Sequence, residues 1–338
     1  MTVDSILIGG TGRSGTSILV RLLGHHRQVY SIPMETRFIV DTGGLYDLHR
    51  NLTRDYSPVR GREALYAFER MMRQYMADPV NEPYVGYDLA AACGEGTYWS
   101  ELEKLLADLT SFSFVAEDLS ATQLPEPVLV RWARSADGFL RKLRRRSPLP
   151  PVAPARKRLA YARYYPDPAV LLLRLGAYAD ALFRAAAARN GKSVWCEKTP
   201  HNLLHAPFLL QLFPRSRFIH IVRDPRAVVR SLLNQRWAPH SARDCCVMAS
   251  EILDRWFDVA SAAADGGRLI ETRLEDLVRN PRNVLAELAG RCDLPDDFEP
   301  LSGLRRDSGN EWRDGLDPGD AALIERQMAP YAARLGYQ

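Results

Sequence analysis

Cysteine, lysine and long apolar runs are what this sequence is short of. Its five cysteines (Cys93, Cys196, Cys245, Cys246 and Cys292) form no CxxC pair and no zinc-type spacing. That excludes a metal finger or a disulfide scaffold and predicts free thiols in a reducing compartment. No His/Cys/carboxylate grouping suggests a metal site, and none is expected. No apolar run approaches the roughly 18 residues of a membrane span. The opening Met1-Thr-Val-Asp-Ser-Ile-Leu-Ile-Gly-Gly10 has no basic segment ahead of its apolar stretch, so it reads as a strand rather than a secretory leader. The expectation is a cytoplasmic protein. No internal repeat is visible.

Lysine is scarcer than the charge balance suggests. Of 45 basic residues only Lys104, Lys142, Lys157, Lys192 and Lys198 are lysines. In so Arg-rich a chain, a remaining lysine calls for a reason.

What is present is ample core material: 338 residues, 46% of them hydrophobic. At about 150 residues per domain the length allows one large domain or two small ones. The net charge of +4 hides an asymmetry, because residues 131–160 carry ten Lys or Arg against one Asp and the remainder is net acidic. So local a basicity, with no recognisable reader motif, argues against a nucleic-acid partner. The basic stretch is proline-punctuated from Arg144 to Arg158. It reads as a solvated loop, with steering of an anionic acceptor as the alternative.

The periodicity predicts an α/β layered fold with a mainly parallel sheet. Ile6–Ile8, Gln28–Ile32, Ser193–Cys196, Arg217–Val222 and Arg268–Thr272 read as strands. Thr16–Leu23 reads as a helix stopped by Gly24 at a C′ position. Pro168–Arg189, Asn202–Leu212 and a helix opened by Asn280-Pro281 follow the same logic, and Asp224-Pro225 opens a helix through Arg236. Between Asp41 and Pro168 the texture changes. Helices over Glu63–Met76 and Glu101–Leu109, the latter with a Ser100–Glu103 capping box, suggest a helical insertion over 41–168 in one domain of 1–338.

Two clusters carry chemistry. Gly10-Thr-Gly-Arg-Ser-Gly15-Thr-Ser17 follows a strand and opens a helix, an anion cradle of inward N–H groups at a positive helix end. Its glycines are spaced as in a nucleotide-binding Walker A loop, but Thr16 stands at that motif's lysine position, and the loop's cation is Arg13. This disfavours a P-loop small-molecule kinase. The second cluster is Arg223-Asp-Pro-Arg-Ala-Val-Val-Arg-Ser231, where Arg223 ends a strand and Ser231 lies two turns along the next helix. Arginine and hydroxyl converging there would hold a second phosphate.

Arg-Ser-Gly-Thr-Ser after the first strand, with Val222-Arg-Asp-Pro…Ser231, resembles the PAPS-dependent sulfotransferases, and the tyrosylprotein-sulfotransferase-like branch most closely. Met34-Glu-Thr-Arg37 looks like that branch's Glu-Thr-Arg motif and Glu197-Lys-Thr-Pro200 like its Lys-Asp-Pro element. Arg273-Leu-Glu-Asp-Leu277 and Trp312 through Leu335-Gly-Tyr337 match its carboxyl-terminal part. Leu274 departs from the branch, which tends to have tyrosine there. The 41–168 insertion is also longer than the branch carries.

The resemblance implies a P-loop-like three-layer fold. It implies 3′-phosphoadenosine 5′-phosphosulfate (PAPS) as sulfuryl donor, adenosine 3′,5′-bisphosphate as product, and no metal. Arg13, Ser14, Gly15, Thr16 and Ser17 would then hold the 5′-phosphosulfate, Arg13 also acting in catalysis by sharing the charge of the leaving phosphosulfate, and Arg223, Ser231 and more weakly Arg236 would hold the 3′-phosphate. Glu35 becomes the candidate base, against a bland reading as a surface ion pair with Arg37. Lys198 becomes the candidate stabiliser of developing charge, against a solvated strand-end lysine. Arg37 is an acceptor contact or the partner that orients Glu35. His201 is an acceptor-side residue and the alternative base. His25 and His26 suit the dipole of the first helix, and His220 suits a strand core. The acceptor expected is a carbohydrate or natural-product hydroxyl, small molecule or glycan, with a peptide tyrosine as the alternative.

Overall fold

The apolar run at the start of the chain is the middle of the fold. β1 (Ser5–Gly9) is buried at every residue. Leu7 packs into one core with Trp195 and Phe218, while Ile6 and Ile8 enter a second with Cys196, Ile219 and Ile221. A strand covered on both faces needs an unbroken apolar stretch rather than an alternating one. The structure, a computed structural model, describes residues 3–74, 88–117, 156–264, 266–300 and 312–338. The basic stretch from 131 to 155 lies outside them.

The main sheet also contains β2 (Val29–Ser31), β5 (Val194–Lys198), β6 (Ser216–Val222) and β7 (Leu269–Arg273). Its order is β2-β5-β1-β6-β7 and every pairing is parallel. Ile6 stands opposite Cys196 on one side and Arg217 on the other. β1 is central, with β5 and β2 to one side and β6 and β7 to the other. The crevice of such a sheet opens at the carboxyl end of that switch point.

One face is covered by α1 (Thr16–Leu23), α10 (Leu274–Arg279) and α11 (Pro281–Arg291), through Leu19, Leu23, Leu277, Leu285 and Leu288. The other is covered by α2 (Leu45–Leu52), α3 (Pro58–Gln74), α5 (Glu95–Leu109), α6 (Pro168–Arg189) and α7 (Ala206–Leu212), through Leu48, Phe68, Leu102, Phe183 and Leu209. The result is a three-layer α/β fold. A third cluster joins α8 (Pro225–Leu232), α9 (Ala242–Ala264) and α12 (Pro318–Arg334) through Val229, Cys245 and Met328. All five cysteines are free and buried. No helix among the described residues is long and apolar enough to cross a membrane.

The 41–168 segment holds α2, α3, the short α4 (Leu89–Cys93) and α5. It also holds an antiparallel pair, β3 (Thr110–Glu117) with β4 (Arg156–Ala162). Helical periodicity does not reveal that pair, and Arg156–Arg158 belong to a strand rather than to the loop expected there. Several boundaries also differ from expectation, the helix expected over Glu63–Met76 running instead over Pro58–Gln74 and the one expected from Asn202 starting at Ala206 after a tight turn of helix over Pro200–His205. α5 begins at Glu95, so Ser100 is interior and no capping box forms. Gly24 has φ −62°, an ordinary right-handed end to α1. α8 stops at Leu232 rather than Arg236, because Asn234 and Gln235 turn back on its last carbonyls. The Gln235 N–H donates to Leu232 O at 2.8 Å and its Nε2 to Ser231 O at 3.2 Å.

Candidate active site

The chain leaves β1 through Gly10-Thr11-Gly12-Arg13-Ser14-Gly15 and enters α1 directly. Gly12 (φ 77°), Arg13 (φ 56°) and Gly15 (φ 100°) are left-handed. Glycine adopts that conformation freely, and an arginine held in it is the kind of strain that gathers at functional sites. Gly15 caps α1 without a side chain, and Ile18 and Leu19 both bond back to its carbonyl at 3.0 Å. The N–H groups ahead of them have no helical carbonyl to reach. Beneath the loop the Ser14 hydroxyl is buried with no hydrogen-bond partner. A Cβ at Gly10 would lie 2.2 Å from that oxygen, so only glycine leaves it room. A buried hydroxyl without a partner is costly. An anion oxygen in the cradle would satisfy it, so the residues present fit a phosphate-type group.

The second cluster closes on the first. The Arg13 Nε donates to Ser231 Oγ at 3.1 Å, and the Arg223 guanidinium donates to the Arg13 carbonyl at 3.0 Å. Arg13 therefore joins Arg223 and Ser231 rather than turning into its own loop. Asp224 caps α8 by accepting from the Arg226 N–H, as its sequence position suggested. Glu275 braces the strand end, accepting from the Asp224 N–H and from the hydroxyl of Tyr337. Leu274 fills the space under Gly15, where a Cβ would meet its Cδ1 at 2.5 Å. Arg236 falls in the exposed turn beyond α8 and is not on the helix that carries Ser231.

Across β5 a third group assembles. Lys198 ends that strand with its side chain only 9% exposed, and its Nζ lies 2.8 Å from Glu35 Oε1, whose side chain is 43% exposed. Arg37 stands in the loop after β2. Its backbone is left-handed at φ 54°, and its Nε pairs with Asp41 Oδ2 at 2.6 Å. The cation bonded to Glu35 is Lys198. Arg37 and the exposed His201 line one cavity of about 580 Å³ with Val40, Asp41, Met71, Leu204 and His205. Burial pushes the His205 imidazole below its usual range.

Two further histidines, His26 and His220, are structural. The His26 ring accepts from the Gln28 N–H, bonds Pro295 O at 2.8 Å and packs edge-on to Phe298, so it ties the loop after α1 to the loop after α11 rather than serving the helix dipole. His220 is a satisfied core residue, paired with Glu271 at 2.9 Å beside Trp256.

Residues 5–300 match the model of the Sulfotransferase family. The chain belongs to that family. It is 28% identical over 105 residues to protein-tyrosine sulfotransferase 1 of Danio rerio, covering 30% of this chain and 29% of that protein. It is 31% identical over 110 residues to omega-hydroxy-beta-dihydromenaquinone-9 sulfotransferase Stf3 of Mycobacterium tuberculosis (strain CDC 1551 / Oshkosh), covering 29% and 28%. The match spans less than a third of either relative's length. The solved sulfotransferase domain from the curacin biosynthetic pathway aligns over 100% of this chain and 99% of its own, at 17% identity and a TM-score of 0.44.

In this family member one buried residue went unread in the sequence. Glu197 is fully buried. Its Oε1 accepts from Thr36 Oγ1 at 3.0 Å and Thr199 Oγ1 at 2.7 Å, and its Oε2 from Asn202 Nδ2 at 2.6 Å. Burial raises its carboxyl above the usual range, and these hydrogen bonds pull it back down. Glu197 sits inside the Glu-Lys-Thr-Pro motif, but nothing in that motif distinguishes a buried carboxylate from a solvated one.

Proposed function

We propose that the chain moves a sulfuryl group from PAPS to an acceptor hydroxyl by in-line displacement. The observation that carries this reading is the Lys198–Glu35 pair at 2.8 Å, at the same carboxyl end of the sheet as the glycine loop. Family membership sets the class of chemistry. The donor, when bound, supplies an activated sulfuryl group on a phosphosulfate. Ser14, Gly15, Thr16 and Ser17 would hold its 5′ end through N–H and hydroxyl donors. Arg223, Ser231 and Arg13 would hold its 3′-phosphate, Arg13 lying nearer that end than its sequence position implied, with Arg236 left as a peripheral contact. Charge-assisted bonds of about 1.5–3 kcal/mol each suffice for micromolar affinity after ordering costs.

Glu35 takes the proton of the acceptor hydroxyl, its carboxylate open enough to be reached and fixed by one ammonium. Lys198 holds its charge in a nearly dry position, where it counts for more than in water. The acceptor enters over Arg37 and His201. Among the described residues the 41–168 insertion meets this cavity through Asp41, Thr42 and, on α3, Met71 and Gln74, which supports an acceptor-side role for the insertion. Apolar Val40, Met71 and Leu204 beside an Arg37–Asp41 pair suit a small hydroxyl compound of the carbohydrate or natural-product kind.

The deciding experiment is calorimetry with adenosine 3′,5′-bisphosphate and with ATP. Heat with the first alone supports the reading; heat with ATP alone replaces it with a kinase.

A further inference from the structure

The hydrogen bonds of Glu197 run to the residues that flank both candidate catalytic groups. Thr36 lies between Glu35 and Arg37, and Thr199 directly follows Lys198. The Asn202 amide, bonded to Glu197 Oε2, also donates to Ile8 O at 3.3 Å, and the Gly10 N–H donates to Pro200 O at 3.0 Å. One buried carboxylate thus connects the loop after β2, the turn after β5 and, through Asn202, the end of β1. Its four nearest donors are neutral: the Thr36 N–H and hydroxyl, the Thr199 hydroxyl and the Asn202 amide. Lysine, the adjacent cation, turns to Glu35 instead.

A carboxylate is a costly choice for mere packing at such a place. It is a good choice where several donors must be held in one fixed arrangement, since an acceptor-only group with two oxygens admits no alternative donor pattern. We propose that Glu197 is the positioning residue of this site, holding Thr36 and Thr199 so that the Glu35 carboxylate and the Lys198 ammonium meet at bonding distance. It acts through those neighbours and touches neither substrate. The inference rests on the reading of Glu35 and Lys198 given above.

Three variants test it: Glu197→Gln, Thr36→Val and Thr36→Ser. In Glu197→Gln the amide nitrogen meets another donor, at Asn202 or at the threonines, and the arrangement loosens. Misplacement on this scale lowers kcat by about 10–100-fold. Affinity for adenosine 3′,5′-bisphosphate, measured by calorimetry, stays within about twofold, because none of the side chains proposed to hold it is among the groups bonded to Glu197. Thr36→Val removes one hydroxyl at nearly constant volume and lowers kcat in the same way. Thr36→Ser restores the hydroxyl and recovers most of the loss. If Glu197→Gln does not fold, the Thr36 pair carries the test alone.

Turnover equal to wild type in Glu197→Gln or Thr36→Val overturns the proposal. So does a fall in kcat accompanied by an equal loss of bisphosphate binding, which marks a general structural role. A wild-type chain that neither binds the bisphosphate nor transfers sulfuryl overturns the enzymatic reading, and the role of Glu197 with it. A fully active wild type with an equally active Glu197→Gln overturns only the latter.

Discussion

Lys198 Nζ lies 2.8 Å from Glu35 Oε1 although 163 positions separate the two residues. The lysine is nearly buried and the glutamate is not. An ammonium placed like this orients the carboxylate without removing it from solvent. Its own charge stays next to the crevice at the carboxyl end of the sheet.

Glu35→Gln keeps the shape of the side chain and removes the proposed base. Turnover should fall by about 10²–10⁴ while bisphosphate affinity holds. Steady-state kinetics paired with calorimetry checks both, and unchanged kcat would move the role to His201.

Lys198→Ala should lower kcat by about 10²–10³ with little effect on nucleotide affinity. Lys198→Arg should not restore it, because a planar guanidinium cannot occupy the space of a compact, nearly buried ammonium. Full activity in the arginine variant would refute a specific need for lysine.

Arg223→Ala, Arg13→Ala and Ser231→Ala should each weaken adenosine 3′,5′-bisphosphate more than AMP. Arg13 and Ser231 are bonded to one another, so their double variant should cost less than the sum of the singles. Equal weakening of both nucleotides would dissociate the cluster from the 3′-phosphate.

Two alanine substitutions in the loop separate backbone strain from crowding. A Cβ at Gly12 meets nothing within 4 Å, whereas one at Gly15 lies 2.5 Å from Leu274 Cδ1. Gly12→Ala should therefore cost only the left-handed penalty of about 1–2 kcal/mol. Gly15→Ala should cost more and should also displace the entry to α1, with loss of nucleotide binding. Chemical denaturation of the two variants gives the comparison, and equal losses would contradict it.

Acid should destabilise the fold below neutral pH. Burial holds the imidazoles of His220, His205 and His49 below their ordinary value of 6.5. As pH falls through 6.5 toward those lower values, the unfolded chain takes up protons that the native one refuses, and stability drops. Glu271, lowered first by its bond to His220, adds to the loss at more acid pH, below its ordinary 4.5. Glu197, raised by burial, acts oppositely, since its native form gains protons as pH falls toward 4.5. Thermal melts from about pH 7.5 to 5.5 should show a falling Tm, with a shallower slope in His220→Gln. A flat profile in the wild type would contradict the burial of these rings.

Much of the sheet was legible in the chain because a doubly covered parallel strand must be apolar throughout. Ile6–Ile8 and the strand over Arg217–Val222 declared themselves in this way, and the helix Pro168–Arg189 did so by its Ala/Leu content and the Asn190-Gly191 that ends it. The glycine loop was legible too, since its conformation and its crowding beneath Ser14 demand residues without a Cβ. The β3–β4 pair was hidden within a segment whose helices dominate its periodicity, and β-pairing depends on a partner about 45 positions away in sequence.

Local residue chemistry determined the phosphate loop, the strand-end arginine and Lys198, one of only five lysines, as places of interest. Only the tertiary structure decided who meets whom across the sheet: Arg13 with Ser231, Lys198 with Glu35, and Glu197 with Thr36. The physical reason is that chain order specifies each strand end by itself. The contacts among those ends are set by the order β2-β5-β1-β6-β7, which brings distant segments side by side.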